Sequence, residues 1–519
     1  MSISDQAISN STARPIIRAA SLIAVGNIAS RGFGLAREVL KSYLFGSGKT
    51  VDAFNVAARV PLLLYDLLIG GMIHSSLVPV FSSYDDEHRA DLWGLFSALF
   101  NLTAILIAGL VLLIELFAPQ VARLMSGGSP DDVLALTADL MRIAVPALLF
   151  LSVGGVVSGL LYALRRFAWV ALTLAVFNAV IVGGTLLLHE RFGIQGMAIS
   201  ILLGGVVSLA IQLPGLRGTS YRLVLRHPDL GRVIALYIPI ILGLLIDILI
   251  SKPATYNLAS QTGVGGIGWM DYATTLWQFP QGLVAVAVSF AVLPGLSAST
   301  GSGRQDEFQT TLIRGLNLIM VLIIPAAVAM FVLASPIVAL VFQHGSFMAA
   351  DTGMTSQVLR LDLLGLPFNA VDLLLVFAFY ARQNTLTPAL IGAVTSLLYV
   401  GLASVLVHNT GAGLFGIMIA DALRIALHVL VCGWLLRGIV GNFNGIGRHL
   451  LQMMGAALVM GLAIYATLTG LDQLLSDQSG FISELLRVGI PALVGGAVYL
   501  GLLYRTQAGE LIFGWIKKT

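Results

Sequence analysis

The chain has 519 residues, of which 57% are hydrophobic and only 11% charged, with a formal charge of +3. Soluble domains carry about 25% charged residues, so a soluble enzyme or binding module is excluded and an all-α polytopic membrane protein is indicated. The positive balance then says nothing about nucleic acid, because basic residues in such a chain gather in cytoplasmic loops.

Taken in chain order, apolar stretches of about 20 residues or more between polar breaks predict fourteen transmembrane helices. Their approximate limits are 14–45, 52–83, 91–118, 132–163, 167–188, 193–216, 228–259, 266–298, 308–342, 352–381, 386–407, 413–437, 447–470 and 481–506. The tail 1–13 lacks the basic region and cleavage site of a signal peptide, so the first span is expected to stay as an anchor. Of the 29 Lys and Arg, 17 fall in the set of loops that includes the N-terminus, and 4 (Lys49, Arg123, Arg191, Arg487) in the opposite set. The positive-inside rule places both termini in the cytoplasm.

Three landmarks recur in order. Pro146 and Pro367 are 221 residues apart, Tyr162-Ala163-Leu164-Arg165 and Tyr380-Ala381-Arg382 start 218 apart, and Pro79 and Pro294 are 215 apart. Helices 1–6 thus read as a diverged copy of helices 7–12, and an even number of spans keeps the copies in the same orientation. The expected plan is a tail (1–13), an N-lobe (14–216), a cytoplasmic linker (217–227) and a C-lobe (228–437). Two further helices (447–506) and a tail (507–519) complete it. Two pseudo-symmetric six-helix lobes imply a central cavity that opens alternately to each side.

Charges at membrane depth are costly, and by default each marks a functional site. In the first lobe they are Arg31, Arg37, Glu38, Arg59 and Asp66; in the second Asp247, Lys252, Asp271, Arg360, Asp362, Asp372, Asp421 and Arg424. At 100° per residue Arg31 and Glu38 share one helix face with Lys41 and Arg37 beside them. Gly32 and Gly34 weaken that helix, and a broken helix suits a cavity lining. The competing reading is a helix end whose arginines snorkel to the headgroups. Convergence of several polar groups favours the cavity, and guanidinium forks there suit a phosphate-bearing anion. Asp247, Asp372 and Asp421 are the candidates for binding a coupling cation or proton. Any one of these charges can equally be a structural ion pair.

Other patterns fail. Gly46-Ser47-Gly48-Lys49-Thr50 ends like a phosphate-binding loop, but the first glycine of that motif would be Tyr43 and no strand precedes it. Gly263, Gly265 and Gly268 match GxGxxG between two membrane helices, which reads as a flexible outer loop. The eight histidines show no metal-ligand spacing with a second donor, and Cys432, alone, permits neither an intrachain disulfide nor a thiolate metal site. Nothing resembles a hydrolase triad or a paired-carboxylate site, so neither a catalytic group nor a metal is expected.

Short motifs in a fixed order carry a resemblance. They are Ser30-Arg31 with Gly34 and Arg37-Glu38, Phe45-Gly46-x-Gly48, Asp52-Ala53-Phe54, Arg59-Val60-Pro61 and Val78-Pro79. In the second lobe follow Trp269-Met270, Phe279-Pro280-x-Gly282, Leu293-Pro294-x-Leu296-Ser297, Ile324-Pro325-Ala326-Ala327-Val328, Phe342-Gln343-x-Gly345-x-Phe347 and Phe379-Tyr380-Ala381-Arg382-Gln383-x-Thr385-x-Thr387-Pro388. With them the chain resembles the MurJ (MviN) family of lipid II flippases, within the multidrug/oligosaccharidyl-lipid/polysaccharide exporter superfamily, over helices 1–12.

The resemblance implies alternating-access movement of an undecaprenyl-pyrophosphate-linked glycan from the inner to the outer leaflet of the bacterial cytoplasmic membrane. It implies Arg31, Arg37, Glu38, Asp52 and Arg59 as cavity residues, and helices 13 and 14 as a groove for the lipid tail. No cofactor is implied beyond coupling to a monovalent cation or to the membrane potential, and the partners are the lipid-linked glycan, membrane lipids and, as candidates, cell-wall synthesis proteins. The chain departs from the family where Asn-Leu-Leu-Arg-Arg and then Glu-Gly usually follow the proline; here stand Leu62-Leu63-Leu64-Tyr65-Asp66 and Gly70-Gly71. In helix 8, Ala273-Thr274-Thr275 replaces Ala-Asp-Arg, with Asp271 three residues before Thr274. Basic cavity positions are missing, so an exporter of another lipid-linked saccharide is the nearest alternative. A cation-coupled small-molecule antiporter would need an acidic cavity, and a non-transporting scaffold would tolerate loss of Arg31 and Arg37.

Overall fold

The computed structural model describes residues 25–85, 87–301, 304–441, 446–475 and 480–504, with 506 and 509. Among them thirteen helices are long and apolar enough to cross a membrane: α2 (Lys49–Phe81), α3 (Arg89–Leu116), α4 (Asp131–Ala163), α5 (Phe167–Phe192), α6 (Ile194–Leu216), α7 (Leu230–Ser260), α8 (Gly266–Gly301), α9 (Gln305–Val332), α10 (Ala349–Ala381), α11 (Leu386–Asn409), α12 (Gly413–Gly438), α13 (Ile446–Leu474) and α14 (Phe481–Leu503). They are preceded by α1, helical over 25–45. Residues 1–24, which hold the predicted N-terminal tail and the start of the first span, and 510–519, most of the predicted C-terminal tail, lie outside the described residues.

The chain divides into two compact units. The first contains the chain up to Lys41 together with Gly48–Asn257; the second contains Ser42–Ser47 together with the chain from Leu258 on. The division falls at the end of α7, and a six-residue stretch of the first hairpin, Ser42–Ser47, belongs to the second unit.

The predicted span 308–342 is two helices. α9 stops at Val332, Leu333 turns the chain, and a short helix runs Ala334–Phe342. The same device follows α3, where Phe117 leads into Ala118–Ser126. Pro119 and Pro336 stand in the first turns of these short helices, where a missing N–H costs nothing.

A second correction concerns where helices bend. Despite Gly32 and Gly34, α1 is continuous. Breaks occur instead as π-helical turns in α2 (Asp66–Gly70 and Ile73–Leu77), α7 (Asp247–Ser251) and α8 (Gln281–Ala285). Those opened by Asp66 and Gln281 stand the same distance ahead of Pro79 and Pro294, so the repeat read from prolines extends to the bends. Such turns are rare and gather at functional sites.

Within the first unit, small residues let helices close on the bent part of α2. A Cβ on Gly155 would lie 2.2 Å from Ile69 Cγ2, and one on Gly159 would lie 2.8 Å from Leu77 Cβ. In an apolar solvent, close van der Waals packing of this kind is what joins helices. The core it forms includes Ile69, Ile73, Leu77, Phe81, Val156 and Leu160. Tyr237 on α7 covers the first π turn, its hydroxyl donating to the Leu67 carbonyl at 2.5 Å. A π turn shifts backbone pairing, and this hydroxyl supplies a partner.

Candidate functional site

The first unit gathers its charges on α1. Glu38 is only 7% exposed and Lys41 only 2%. Lys41 Nζ lies 2.5 Å from Glu38 Oε2, and Arg37 Nη2 lies 2.9 Å from Oε1, with Arg37 Nε donating to the same oxygen at 3.1 Å. One carboxylate is thus held between two cations, leaving a net charge of +1. Lys41 also donates to Asn55 Oδ1 on α2 at 2.8 Å, and Arg37 Nη1 donates to Asn178 Oδ1 on α5 at 3.0 Å. A buried charge must be paired to be tolerated, and Arg37, Glu38 and Lys41 are each paired; Asn55 Nδ2 has no hydrogen-bond partner among the described residues.

Arg37 is the outward member, its side chain 27% exposed. A guanidinium has five N–H groups, and three are used by Glu38 and Asn178. The other two have no acceptor among the described residues. Held by two partners, the fork loses little entropy when it takes a further anion.

The remaining predicted cavity residues are placed as follows. Arg31 is half-buried on α1, a turn and a half before Arg37. Arg59 is half-buried on α2 and acts electrostatically on Asp66, which is exposed at the opening of the first π turn. Asp52 is buried in the first turn of α2, where the helix dipole favours an acid. The structure therefore joins Arg37 to Glu38, with Asp52 in the first turn of α2 and Asp66 near the middle of the same helix. Sequence reasoning placed Lys41 on the same helix face as Glu38 and Arg37 but missed Asn55 and Asn178, which join the network from α2 and α5.

At the departures from the family pattern, Tyr65 lines a small apolar pocket of about 70 Å³ with Leu62, Phe150, Gly154, Phe177 and Leu209. Its ring packs into the first unit's core. Thr275 turns back on its own helix, donating to the Asp271 carbonyl at 2.9 Å.

The three candidate coupling acids differ. Asp247 opens the π turn of α7 and is half-buried. Asp421 is paired with Arg424 at 2.8 Å, and that guanidinium lies over the Tyr399 ring at 5.7 Å. Asp372 lies 2.6 Å from His428 Nδ1, and Cys432 stands beside them within ligand distance. The spacing His428-x-x-x-Cys432 puts both side chains on one helix face; sequence reading passed over it because the third member is 56 residues away.

The second unit explains several of the short motifs. The Tyr43–Ser47 stretch is held by Ser346 N donating to the Tyr43 carbonyl at 2.9 Å, Tyr272 Oη to the Gly46 carbonyl at 2.7 Å and Ser47 Oγ to Asp351 Oδ1 at 2.5 Å. Trp269 Nε1 donates to the same Asp351 oxygen at 3.1 Å. Gly46 and Gly345 both have positive φ, and a Cβ on Gly345 would lie 2.3 Å from the Tyr43 carbonyl oxygen. Tyr272, Phe342 and Phe347 form the aromatic backing. Gly265, expected in a loose loop, is likewise built in, since its Cβ would lie 2.6 Å from the Ser47 carbonyl oxygen.

Residues 41–480 match the family model described as lipid II flippase MurJ. The chain belongs to the MurJ family of lipid II flippases. It is 29% identical over 460 residues to the lipid II flippase MurJ of Burkholderia cenocepacia, covering 86% of this chain and 89% of that one. It is 27% identical over 514 residues to the probable lipid II flippase MurJ of Bdellovibrio bacteriovorus, covering 95% of each. A solved MurJ in an inward closed conformation superposes with a TM-score of 0.79 over 96% of this chain and 99% of that one, at 24% identity. An inward-facing multidrug transporter of the MATE family gives 0.66 over 79% and 94%, at 18% identity. Both share the fold. MurJ proteins are multi-pass membrane transporters, not enzymes.

Proposed function

We propose that this chain carries the peptidoglycan precursor lipid II from the inner to the outer leaflet of the cytoplasmic membrane by alternating access, with both termini in the cytoplasm. Family membership supplies the cargo class, a lipid-linked glycan in a membrane. The observation that carries the reading to this chain's own residues is Arg37: a half-exposed guanidinium fixed by Glu38 and Asn178, with two N–H groups left over. Two donors in one plane match two oxygens of a pyrophosphate. Arg31 and Arg59 are the further basic residues on α1 and α2, and on this reading they take over part of the phosphate binding lost at Tyr65 and Thr275.

The alternative of an antiporter with an acidic cavity finds no support on α1, where the carboxylate is already neutralised by two cations. Expression of this chain in cells depleted of their own lipid II flippase tests the proposal. Restored growth supports lipid II as the cargo; a well-inserted protein that fails to restore growth points to another lipid-linked saccharide.

A further inference from the structure

Both ring nitrogens of His428 face acceptors. Nδ1 lies 2.6 Å from Asp372 Oδ1 on α10, and Nε2 lies 3.2 Å from the Pro388 carbonyl oxygen on α11. A carbonyl can only accept, so Nε2 carries a proton. The Asp372 contact needs a second, on the imidazole or on the carboxyl. The pair therefore holds two protons and is neutral as a unit. Removing one leaves a net negative charge and either a bare nitrogen against a carbonyl or a carboxylate against a bare nitrogen; in each case one of the two links is lost.

His428 is 8% exposed and Cys432 fully buried, while the Asp372 side chain is 23% exposed, so the carboxylate is the more open end of the pair. Asp372 and Cys432 are the titratable groups acting on the ring, and Tyr380 on α10 acts in turn on Asp372. On α12 itself Asp421 and Arg424 neutralise one another, and α11 contains no charged residue.

We propose that Asp372 and His428 form a buried proton-binding site whose one exchangeable proton clamps α10, α11 and α12 together. Proton release frees α12 from the Pro388 carbonyl or from Asp372, which makes the packing of these three helices sensitive to pH. The site does not depend on the identity of the cargo, and its test uses the protein alone.

The test is thermal unfolding of the full chain in lipid nanodiscs across a pH series, for the wild type, Asp372→Asn, His428→Gln and Cys432→Ser, with and without micromolar Zn²⁺. An asparagine amide supplies a fixed donor to Nδ1 in place of the exchangeable proton. One linked proton shifts the folding equilibrium about tenfold per pH unit, so the wild type loses stability as pH rises. Asp372→Asn and His428→Gln flatten that dependence, and Cys432→Ser retains it. Should Asp372→Asn fail to fold, His428→Gln makes the same comparison. A wild-type profile parallel to that of either variant overturns the proposal. So does stabilisation by Zn²⁺ that Cys432→Ser abolishes, which would assign the cluster to a metal.

Discussion

Arg37 reaches across from α1 to Asn178 on α5, Nη1 to Oδ1 at 3.0 Å, while its other edge grips Glu38. The arginine is thereby fixed before any cargo arrives. Preorganisation of this kind lowers the ordering cost of binding, and it explains why a charge-rich helix face can persist at membrane depth. The acid is the hub: without Glu38 the two cations would repel one another.

Glu38→Ala leaves Lys41, almost wholly buried, without its counter-ion. Removing one partner of a buried pair costs about 3–5 kcal/mol, so the variant should lose most of its folded yield in detergent. Replacing Glu38 and Lys41 together by methionine should recover folding, because an apolar pair of similar volume avoids the unpaired charge. Size-exclusion profiles and melting curves of the single and double variants check both outcomes.

Tyr237→Phe removes the hydroxyl that meets the Leu67 carbonyl while keeping the ring. Leaving one buried acceptor unsatisfied costs about 1–3 kcal/mol. A melting-temperature decrease, with hydrogen exchange rising at the Asp66–Gly70 turn and not at α5, is the expected result.

Gly155→Val places carbon where Ile69 Cγ2 already stands. Overpacking of this degree costs about 1–3 kcal/mol and should force α4 away from α2, lowering the melting temperature. Gly109→Val, in open space on α3, is the control and should change it little.

Gly345→Ala meets two obstacles, a positive φ and the backbone carbonyl of Tyr43. The left-handed conformation alone costs a non-glycine residue about 1–2 kcal/mol, and a backbone oxygen cannot swing aside. Faster hydrogen exchange at Ser346 and across Tyr43–Ser47 should follow. Gly353→Ala, with nothing near its Cβ, should leave those amides unchanged.

How legible these features were in the sequence depended on their range. Membrane spans announce themselves because each needs a long apolar run, and every predicted span from α2 to α14 has its helix. The short helices at Ala118–Ser126 and Ala334–Phe342 were absorbed into neighbours or missed, since a single turned residue leaves hydropathy unchanged. The π turns were invisible, because no local residue type marks them; those of α2 pack against Gly155, Gly159 and Tyr237, which lie far along the chain. Arg37, Glu38 and Lys41 were readable as one helix face; Asn55 and Asn178 were not, because neutral amides on other helices carry no pattern. Gly46-Ser47-Gly48 reads in the sequence as a helix-connecting turn, but the partners that hold Gly46 and Ser47 stand 226 positions away at Tyr272 and 304 positions away at Asp351.

Arg37 as the preorganised phosphate ligand is the central claim. Binding of lipid II, and of a polyprenyl pyrophosphate bearing an unrelated glycan, to purified wild type and Arg37→Ala measures this directly. Losing a charge-assisted contact worth about 1.5–3 kcal/mol should weaken lipid II binding by about tenfold to a hundredfold, with the wild type preferring lipid II over the unrelated glycan. Equal affinity of a correctly folded Arg37→Ala for lipid II, or a wild type that binds neither lipid, would contradict it.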